Sequence, residues 1–237
     1  MKDLLNKKIY SGDQFDAIRA NALKADKPVA ISFVNPFSYH EVQKRPELVE
    51  NIDYFFSDGA LLCKLNNLFL PKITRASFDY SSIAAPFLQH ISDEHLNLAV
   101  IGATADENEK AVKVLKQQYP NIHIVYARDG YIDDTAPVLK ELEERNVNVV
   151  LVGMGTPYQE QFCVTAKNKI HLPMLFITCG GFLTQTSIKP DYYHPIIKKL
   201  GLRWLQRMVK HKHVRDRVIR QYPKFIVSYL YHMLKKK

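Results

Sequence analysis

Val147-Asn148-Val149-Val150-Leu151-Val152-Gly153-Met154-Gly155-Thr156-Pro157-Tyr158-Gln159-Glu160 is the stretch whose reading decides the fold. The β-branched and apolar run from Val147 to Val152 reads as a buried strand. It breaks at Gly153-Met154-Gly155 and passes into a proline-started helix that carries Gln159 and Glu160. Such a turn leaves backbone N–H groups and two polar side chains at the C-terminal edge of the strand, where phosphate-bearing ligands bind. By itself the turn is unspecific, since many α/β proteins carry one that binds nothing.

The same alternation extends in both directions. Val29 to Val34 reads as a strand, with Asn35-Pro36 as the N-cap and first-turn proline of a helix running to about Lys44. Ile52 to Phe56 is β-prone and leads through Ser57-Asp58-Gly59 into an apolar helix at Leu61, Leu62 and Leu65. Ser82 to Ile91 reads as a helix, Leu96 to Ile101 as a strand, Ala105 to Tyr119 as an amphipathic helix, and Ile122 to Tyr126 as a strand. Thr135 to Arg145 and Pro157 to Lys169 are helices, and Met174 to Thr178 is a final strand before Cys179-Gly180-Gly181. Strands separated by helices imply a mostly parallel, Rossmann-like α/β sheet flanked by helices. Residues 1–195 form that domain, and 196–237 a basic helical appendage.

The charge supports this division. From Ile196 to Lys237 there are thirteen Lys or Arg and one acid, a net of +12, so residues 1–195 carry −3 of the chain's +9. A mildly acidic body with a basic tail points to an anionic surface, either lipid headgroups or nucleic acid. Leu202, Leu205 and Val209 share a helical face, and Phe225, Ile226, Tyr229, Leu230, Met233 and Leu234 form a stripe after Pro223. A basic helix with such anchors suits the interface of an anionic bilayer. The rival reading docks the stripe on the body, leaving the charges in solvent; the charge excess favours lipid. Nucleic acid is disfavoured because no helix-turn-helix, finger or RNP motif accompanies the charge. No apolar run is long enough to span a membrane, and the N-terminus has no secretory h-region. Cys63, Cys163 and Cys179, odd in number and without CxxC spacing, read as buried thiols in a reducing cytosol.

Candidate chemistry lies where strands end. Asn35, Asp58, Gly102, Asp129-Gly130, Gly153 to Glu160 and Gly180-Gly181 all follow apolar strands, and in a parallel sheet those ends share one edge. Asp58, flanked by Gly59 and apolar aromatics, has a setting in which burial favours a general base; the competing reading is an Asp-Gly turn that caps the next helix. Asp133-Asp134 reads as a helix cap. With no Asp-x-Asp and no histidines at ligand spacing, no metal site is expected. His90, His95, His123 and His171 read as isolated, and His211 and His213 as surface. Gly102-Ala103-Thr104-Ala105 lacks the GxGxxG fingerprint, so a nucleotide-cofactor oxidoreductase is not supported and no cofactor is expected.

Gly153-Met154-Gly155-Thr156-Pro157-Tyr158-Gln159-Glu160 resembles the G-x-G-x-P-x-Q-E signature of the WecG/TagA/CpsF glycosyltransferases, family 26 of the sugar transferases. The resemblance continues in order through Asn35-Pro36, Asp58-Gly59, Arg75 followed by Asp79, Ile101-Gly102, Asp129-Gly130-Tyr131, Gly180-Gly181, and Gly201-Leu202-Arg203-Trp204-Leu205-Gln206-Arg207, so that it covers about Ile31 to Phe225. It implies an inverting, metal-independent glycosyltransferase (a hexosyltransferase) moving a hexose or N-acetylhexosamine at the inner face of the bacterial plasma membrane, a peripheral enzyme of surface polysaccharide synthesis (exopolysaccharide, capsule, O-antigen or teichoic acid linkage). Its substrates would be a UDP-sugar donor and an undecaprenyl-diphosphate-linked sugar acceptor, and its further partners anionic inner-membrane lipids, with self-association left open. Asp58 falls on the family's general base, and Asn35, Arg75 and Gln159 on polar pocket positions. Arg75 suits a diphosphate, as a guanidinium does. Gly102, Asp129, Gly153, Gly155, Glu160, Gly180, Gly181, Thr184 and Gln185 would line the substrate site. The tail's Arg203, Arg207, Arg215, Arg217 and Arg220 would reach lipid and its diphosphate.

The chain also departs from the family pattern. Phe33 stands where many relatives have threonine, Gly180-Gly181-Phe182-Leu183-Thr184-Gln185-Thr186 lacks the usual acid, and Tyr192-Tyr193-His194 replaces Arg-Ala-Pro. These differences look like the exopolysaccharide, capsule or O-antigen branch, often hexose-transferring, rather than the N-acetylmannosamine branch. The rival from another class is a non-catalytic, membrane-docked nucleotide-sugar-binding partner of a synthesis complex. Joint retention of Asp58, Arg75 and Gln159 argues against it.

Overall fold

A computed structural model describes residues 2–188, 209 and 212–235. In chain order the elements are α1 (Lys2–Lys7), β1 (Ile9–Tyr10), a 3-10 turn (Gly12–Gln14), α2 (Phe15–Leu23), β2 (Val29–Val34), α3 (Pro36–Gln43), α4 (Pro46–Asn51), β3 (Tyr54–Ser57) and α5 (Ala60–Phe69). There follow α6 (Ala84–Asp93), β4 (Asn97–Gly102), α7 (Ala105–Gln118), β5 (His123–Arg128) and α8 (Ala136–Glu144). The last are β6 (Val149–Gly153), α9 (Tyr158–Lys169), β7 (Leu175–Thr178), α10 (Phe182–Ile188) and α11 (Lys212–Leu234). The strands form one seven-stranded sheet in the order β1-β3-β2-β7-β6-β4-β5. Every pairing is parallel, so the expected α/β architecture is the observed one.

The strands are near-continuous apolar runs because both sheet faces are covered. Alternate residues of β6 divide accordingly: Val150 and Val152 enter one core, Val149 and Leu151 the other. On the first face lie Tyr39 and Val42 of α3, Leu62 and Leu65 of α5, Leu139 and Leu142 of α8, and Phe162 and Ala166 of α9. On the second lie Phe15 of α2, Phe87, Leu88 and Ile91 of α6, Leu115 of α7, and Phe182 and Leu183 of α10. The three cysteines are buried free thiols, as expected.

Several elements differ from the sequence reading. β3 starts two residues later than expected because Ile52 closes α4, while the Asp53 carboxylate accepts from Ala30 N at 2.7 Å and pairs with Lys167. α1, β1, α2, α4 and α10 carry too short or too mixed a pattern to be read ahead. His95 and His123, expected to be isolated, approach with ring centroids 5.6 Å apart where β4 and β5 begin, at the edge opposite the candidate site.

The stripe on the tail docks on the body, and the favoured reading is corrected. Phe225, Tyr229 and Met233 are buried in the first core. Tyr39 of α3 meets the Phe225 and Tyr229 rings at 5.5 and 5.8 Å, and His40 meets Phe225 at 5.5 Å. A different row faces outward: Ile219, Val227, Tyr231 and Leu234 are exposed, with Arg220, Lys224 and Lys235 also exposed. Five of the stripe's six residues therefore lie against the body, Ile226 and Leu230 packing beside the three buried ones, and Leu234 alone lies on the open side. The division expected between residues 195 and 196 falls outside the described residues.

Candidate functional site

Because the sheet is parallel, Asn35, Asp58, Gly180, Gly153, Gly102 and Asp129 follow their strands along one edge. In spatial order they follow β3, β2, β7, β6, β4 and β5, with Asp58 toward one end and Asp129 at the other.

The first group gathers behind β2 and β3. Asn35 caps α3, its Oδ1 accepting from Phe37 N at 3.0 Å and Ser38 N at 3.1 Å. The Asp58 amide donates to Val34 O at 2.9 Å. A Cβ on Gly59 would stand 2.8 Å from Pro36 Cδ, so only glycine lets this turn lie against the Asn35-Pro36 corner. The cap of α5 is Gly59 and no side chain serves it, so Asp58 is not a helix cap. Nor is it secluded among aromatics as expected: Arg75 stands against it. Arg75 Nε donates to Asp58 O at 2.6 Å, and Nη2 donates to Asp58 Oδ1 at 3.0 Å and Asp79 Oδ2 at 3.1 Å. Burial opposes the Arg75 charge, but the Asp58 and Asp79 carboxylates outweigh it and push the guanidinium above its ordinary value. The side chains of Arg75 and Asp58 remain 25% and 28% exposed, which keeps the pair accessible from solvent. Among the described residues, Asp58 Oδ2 and Arg75 Nη1 have no hydrogen-bond partner.

Two supports for Arg75 escape a sequence reading. Asp79 Oδ1 accepts from Ser81 N at 2.9 Å and Ser81 Oγ at 2.5 Å, which fixes the second carboxylate. The N-terminal 3-10 turn braces the residue before Arg75: Thr74 N donates to Ser11 Oγ at 2.8 Å, and Gly12 N to Thr74 O at 3.0 Å. Ser11-Gly12-Asp13-Gln14 has capping-box spacing, a signal that marks the turn but not its distant partner.

The second group surrounds the turns after β6 and β7. The Thr156–Pro157 peptide is cis, and Pro157 caps α9. Gln159 and Glu160, expected to face outward, are 3% and 0% exposed. Glu160 is thereby corrected from a substrate contact to an interior residue, because neither carboxylate oxygen reaches the surface. Its Oε1 accepts from Ser32 Oγ at 2.9 Å, Thr156 Oγ1 at 3.1 Å and Gln159 Nε2 at 2.9 Å. Gln159 Oε1 accepts from Gly180 N at 3.2 Å. Thr178 Oγ1 donates to Ser32 Oγ at 3.1 Å. Ser32 and Thr178 were not singled out in the sequence; a hydroxyl interrupting an otherwise apolar buried strand is the signal that could have found them. No atom of the described residues lies within 4 Å of a Cβ built on Gly155 or Gly180, so among those residues both turns are open. Gly181 is exposed, and Thr184 and Gln185 on α10 are half-buried.

The third group closes the edge. Gly102 runs so close to β6 that a Cβ would lie 2.3 Å from Gly153 O, at a φ of +146°. Asn108, missed by the sequence reading, donates through Nδ2 to Gly102 O at 2.9 Å and Arg128 O at 2.7 Å, tying the ends of β4 and β5. Asp129 Oδ1 accepts from Tyr131 N at 2.8 Å, and the Tyr131 ring is left 75% exposed. Asp134 Oδ1 accepts from Ala136 N at 2.9 Å, while the N-cap of α8 is Thr135 rather than the expected Asp133-Asp134 pair. Phe33 is a core residue of the second sheet face, its ring 5.9 Å from Phe56 and 6.3 Å from Phe15, and so points away from Asn35's surroundings.

Of the tail arginines, Arg203 and Arg207 lie outside the described residues, as do Tyr192, Tyr193 and His194. Arg215 and Arg220 are exposed on α11, Arg217 lies on the same helix, and Val209 is exposed. Among the described residues no helix is long and apolar enough to cross a membrane.

A family model for "Glycosyl transferase WecG/TagA/CpsF family" matches residues 3–237. The chain is 39% identical over 222 residues to a Shigella boydii protein named UDP-Gal:alpha-D-GlcNAc-diphosphoundecaprenol beta-1,4-galactosyltransferase, covering 91% of this chain and 92% of the relative. It is 28% identical over 163 residues to a Staphylococcus aureus (strain MRSA252) N-acetylglucosaminyldiphosphoundecaprenol N-acetyl-beta-D-mannosaminyltransferase, covering 68% of this chain and 63% of the relative. An arginine-held aspartate and two open glycine turns on one edge of a parallel sheet, matched by a family model along almost the entire sequence, place the chain in the WecG/TagA/CpsF family of glycosyltransferases.

Proposed function

We propose that this glycosyltransferase moves a hexose from a UDP-sugar to an undecaprenyl-diphosphate-linked N-acetylglucosamine, inverting the anomeric centre without a metal ion. The donor and acceptor classes are those named for the two relatives. The higher identity to the galactosyltransferase, over nearly the full length of both chains, favours the hexose branch and makes UDP-galactose the first donor to try.

The observation that carries the reading is the pinned carboxylate. One Asp58 oxygen is held by Arg75 at 3.0 Å, and the other has no hydrogen-bond partner among the described residues at the sheet's ligand edge. In an inverting displacement the acceptor hydroxyl attacks C1 of the donor sugar from the face opposite UDP. Asp58 Oδ2 takes the hydroxyl proton as the new bond forms. The C1–O bond to the diphosphate breaks, and the pair of electrons leaves with UDP. Arg75 Nη1, also without a partner among the described residues, is the donor directed at diphosphate oxygens, where a guanidinium is worth more than an ammonium. The amide of Asn35 is available to a sugar hydroxyl, since its cap uses only Oδ1. Gly102, Asp129, Gly153, Gly155, Gly180, Gly181, Thr184 and Gln185 line the donor side in this reading. Gln159 acts there by holding the Gly180 amide.

The enzyme works as a peripheral protein on the inner face of the plasma membrane in surface polysaccharide synthesis. The row Ile219, Val227, Tyr231 and Leu234, with Arg215, Arg220 and Lys224 and with Lys235 just beyond the helix, is the part of α11 and its end that beds in anionic lipid. The test of the activity is UDP release by the purified protein. It uses a panel of UDP-sugars with and without a short-chain prenyl-diphosphate N-acetylglucosamine. Acceptor-dependent release with one donor supports the reading, and silence across the panel with intact UDP binding rejects it.

A further inference from the structure

Glu160 is a fully buried carboxyl group that the chemistry above does not use. It stands at the centre of a polar thread through the protein interior, which starts at Thr178 on β7 and passes through Ser32 on β2 to Glu160 Oε1. From Glu160 the thread continues through Gln159 to the Gly180 amide. A backbone amide can only donate, so Gly180 N fixes Oε1 of Gln159 as its acceptor and turns Nε2 toward Glu160. The Gln159 amide nitrogen of the backbone also donates to Gly155 O at 3.1 Å. One residue therefore ties both open turns, and its side chain is aimed by Glu160.

The state of Glu160 follows from its surroundings. Oε1 accepts three hydrogen bonds, while Oε2 is buried with no partner among the described residues. No Lys, Arg or His among the described residues lies within ion-pair distance. The neighbouring titratable group on its own helix is the Cys163 thiol, itself neutral, and β2 and β7 present only the Ser32 and Thr178 hydroxyls. A buried anion without a counter-charge costs far more than one unpaired hydroxyl. Burial accordingly pushes the Glu160 carboxyl above its ordinary value, more than its hydrogen bonds pull it down.

We infer that Glu160 is a neutral carboxylic acid that positions Gln159, and through it the Gly155 and Gly180 turns, for the donor nucleotide. The inference rests on the proposed function, in which those turns meet the UDP moiety. Glu160 touches no substrate, and its part is to aim the side chain that holds the Gly180 amide.

The experiment is UDP binding by calorimetry on the full chain, combined with steady-state transfer kinetics, for wild type, Glu160→Ala, Glu160→Gln and Ser32→Ala. Removing the acceptor in Glu160→Ala is expected to weaken UDP binding and raise the donor KM by about tenfold or more, with a smaller change in kcat. Glu160→Gln keeps an uncharged acceptor of the same shape and is expected to restore affinity to within about threefold of wild type. Ser32→Ala removes one donor without opening a large cavity, and is expected to weaken UDP binding in the same direction by about threefold. The inference is overturned if Glu160→Gln is folded and as defective as Glu160→Ala, which would mean that a charge is required. It is also overturned if UDP affinity is unchanged in Ser32→Ala while Glu160→Ala is either unchanged or unable to fold. Failure of wild type to bind UDP at all would reject the functional reading beneath it. Normal wild-type binding with indistinguishable Glu160 variants rejects the positioning role alone.

Discussion

Arg75 holds Asp58 at two points at once, its Nε on the Asp58 carbonyl at 2.6 Å and its Nη2 on Oδ1 at 3.0 Å. Backbone and side chain of the aspartate are thereby fixed relative to one planar group, and the free oxygen has a defined direction. The pair stands at the end of β3, where the helix that follows gives it no capping duty.

Asp58→Asn keeps the shape and removes the base. Transfer is expected to fall by about 10² to 10⁴ in kcat while UDP affinity stays within about twofold. Parallel UDP-release and calorimetric measurements decide it, and unchanged turnover removes Asp58 from the mechanism.

Arg75→Lys retains a charge but loses the fork that reaches Asp58 O, Asp58 Oδ1 and Asp79 Oδ2 together. The expected loss in kcat/KM is about 10²-fold, with Asp79→Asn about tenfold down because Arg75 loses one anchor. A lysine variant with wild-type kinetics would show that charge alone suffices.

The raised Glu160 carboxyl makes stability depend on pH. Folding keeps the proton that the unfolded chain releases above about 4.5, so this group's contribution is fully present below that pH and is lost as pH rises toward the folded-state value. Asp13 and Glu41, lowered chiefly by hydrogen bonds from Ser11 and Lys44, act in the opposite sense and only below their ordinary values. Urea midpoints measured upward from pH 4.5 should fall more steeply in wild type than in Glu160→Gln. Parallel curves for the two proteins would contradict the neutral acid.

The two faces of α11 should separate experimentally. Phe225→Ala opens a cavity against Tyr39 and is expected to cost about 3–5 kcal/mol of stability. Val227→Glu with Tyr231→Glu alters only exposed positions, so thermal stability should hold while flotation with phosphatidylglycerol vesicles is lost. Vesicle binding that survives the double change would sink the membrane role of that row.

EDTA should leave transfer unchanged, because the proposed displacement relies on Arg75 rather than on a divalent cation to meet the leaving diphosphate. An activity lost to chelation and restored by magnesium would refute this.

Much of this was legible in the sequence, for identifiable reasons. Val149 to Val152 is buried on both faces, so the strand announces itself by composition, and its glycine turn follows from the close approach of Gly102 to Gly153. Asn35-Pro36 states a helix start in two residues. What stayed hidden depends on distant contacts. Nothing near Thr74 says that Ser11 will brace it 63 residues away. Gln159 and Glu160 look like exposed first-turn residues until Ser32, 128 residues earlier, supplies the interior hydroxyl. The tail's stripe was misassigned because an apolar helix face reads the same whether protein or lipid covers it, and only Tyr39 and His40 settle which.

The docking of α11 on α3 has one more implication. Tyr39 and His40 lie one helical turn beyond Asn35, so the helix proposed to meet lipid is packed onto the helix whose N-cap borders the proposed reaction centre. In the proposed arrangement the reaction centre keeps a constant stand-off from the bilayer, set by side-chain packing rather than by a swinging tether. The acceptor, fixed to the same bilayer by its own hydrocarbon anchor, would then be measured by reach: a headgroup too short or too long for that height would miss the carboxylate however well its sugar fits.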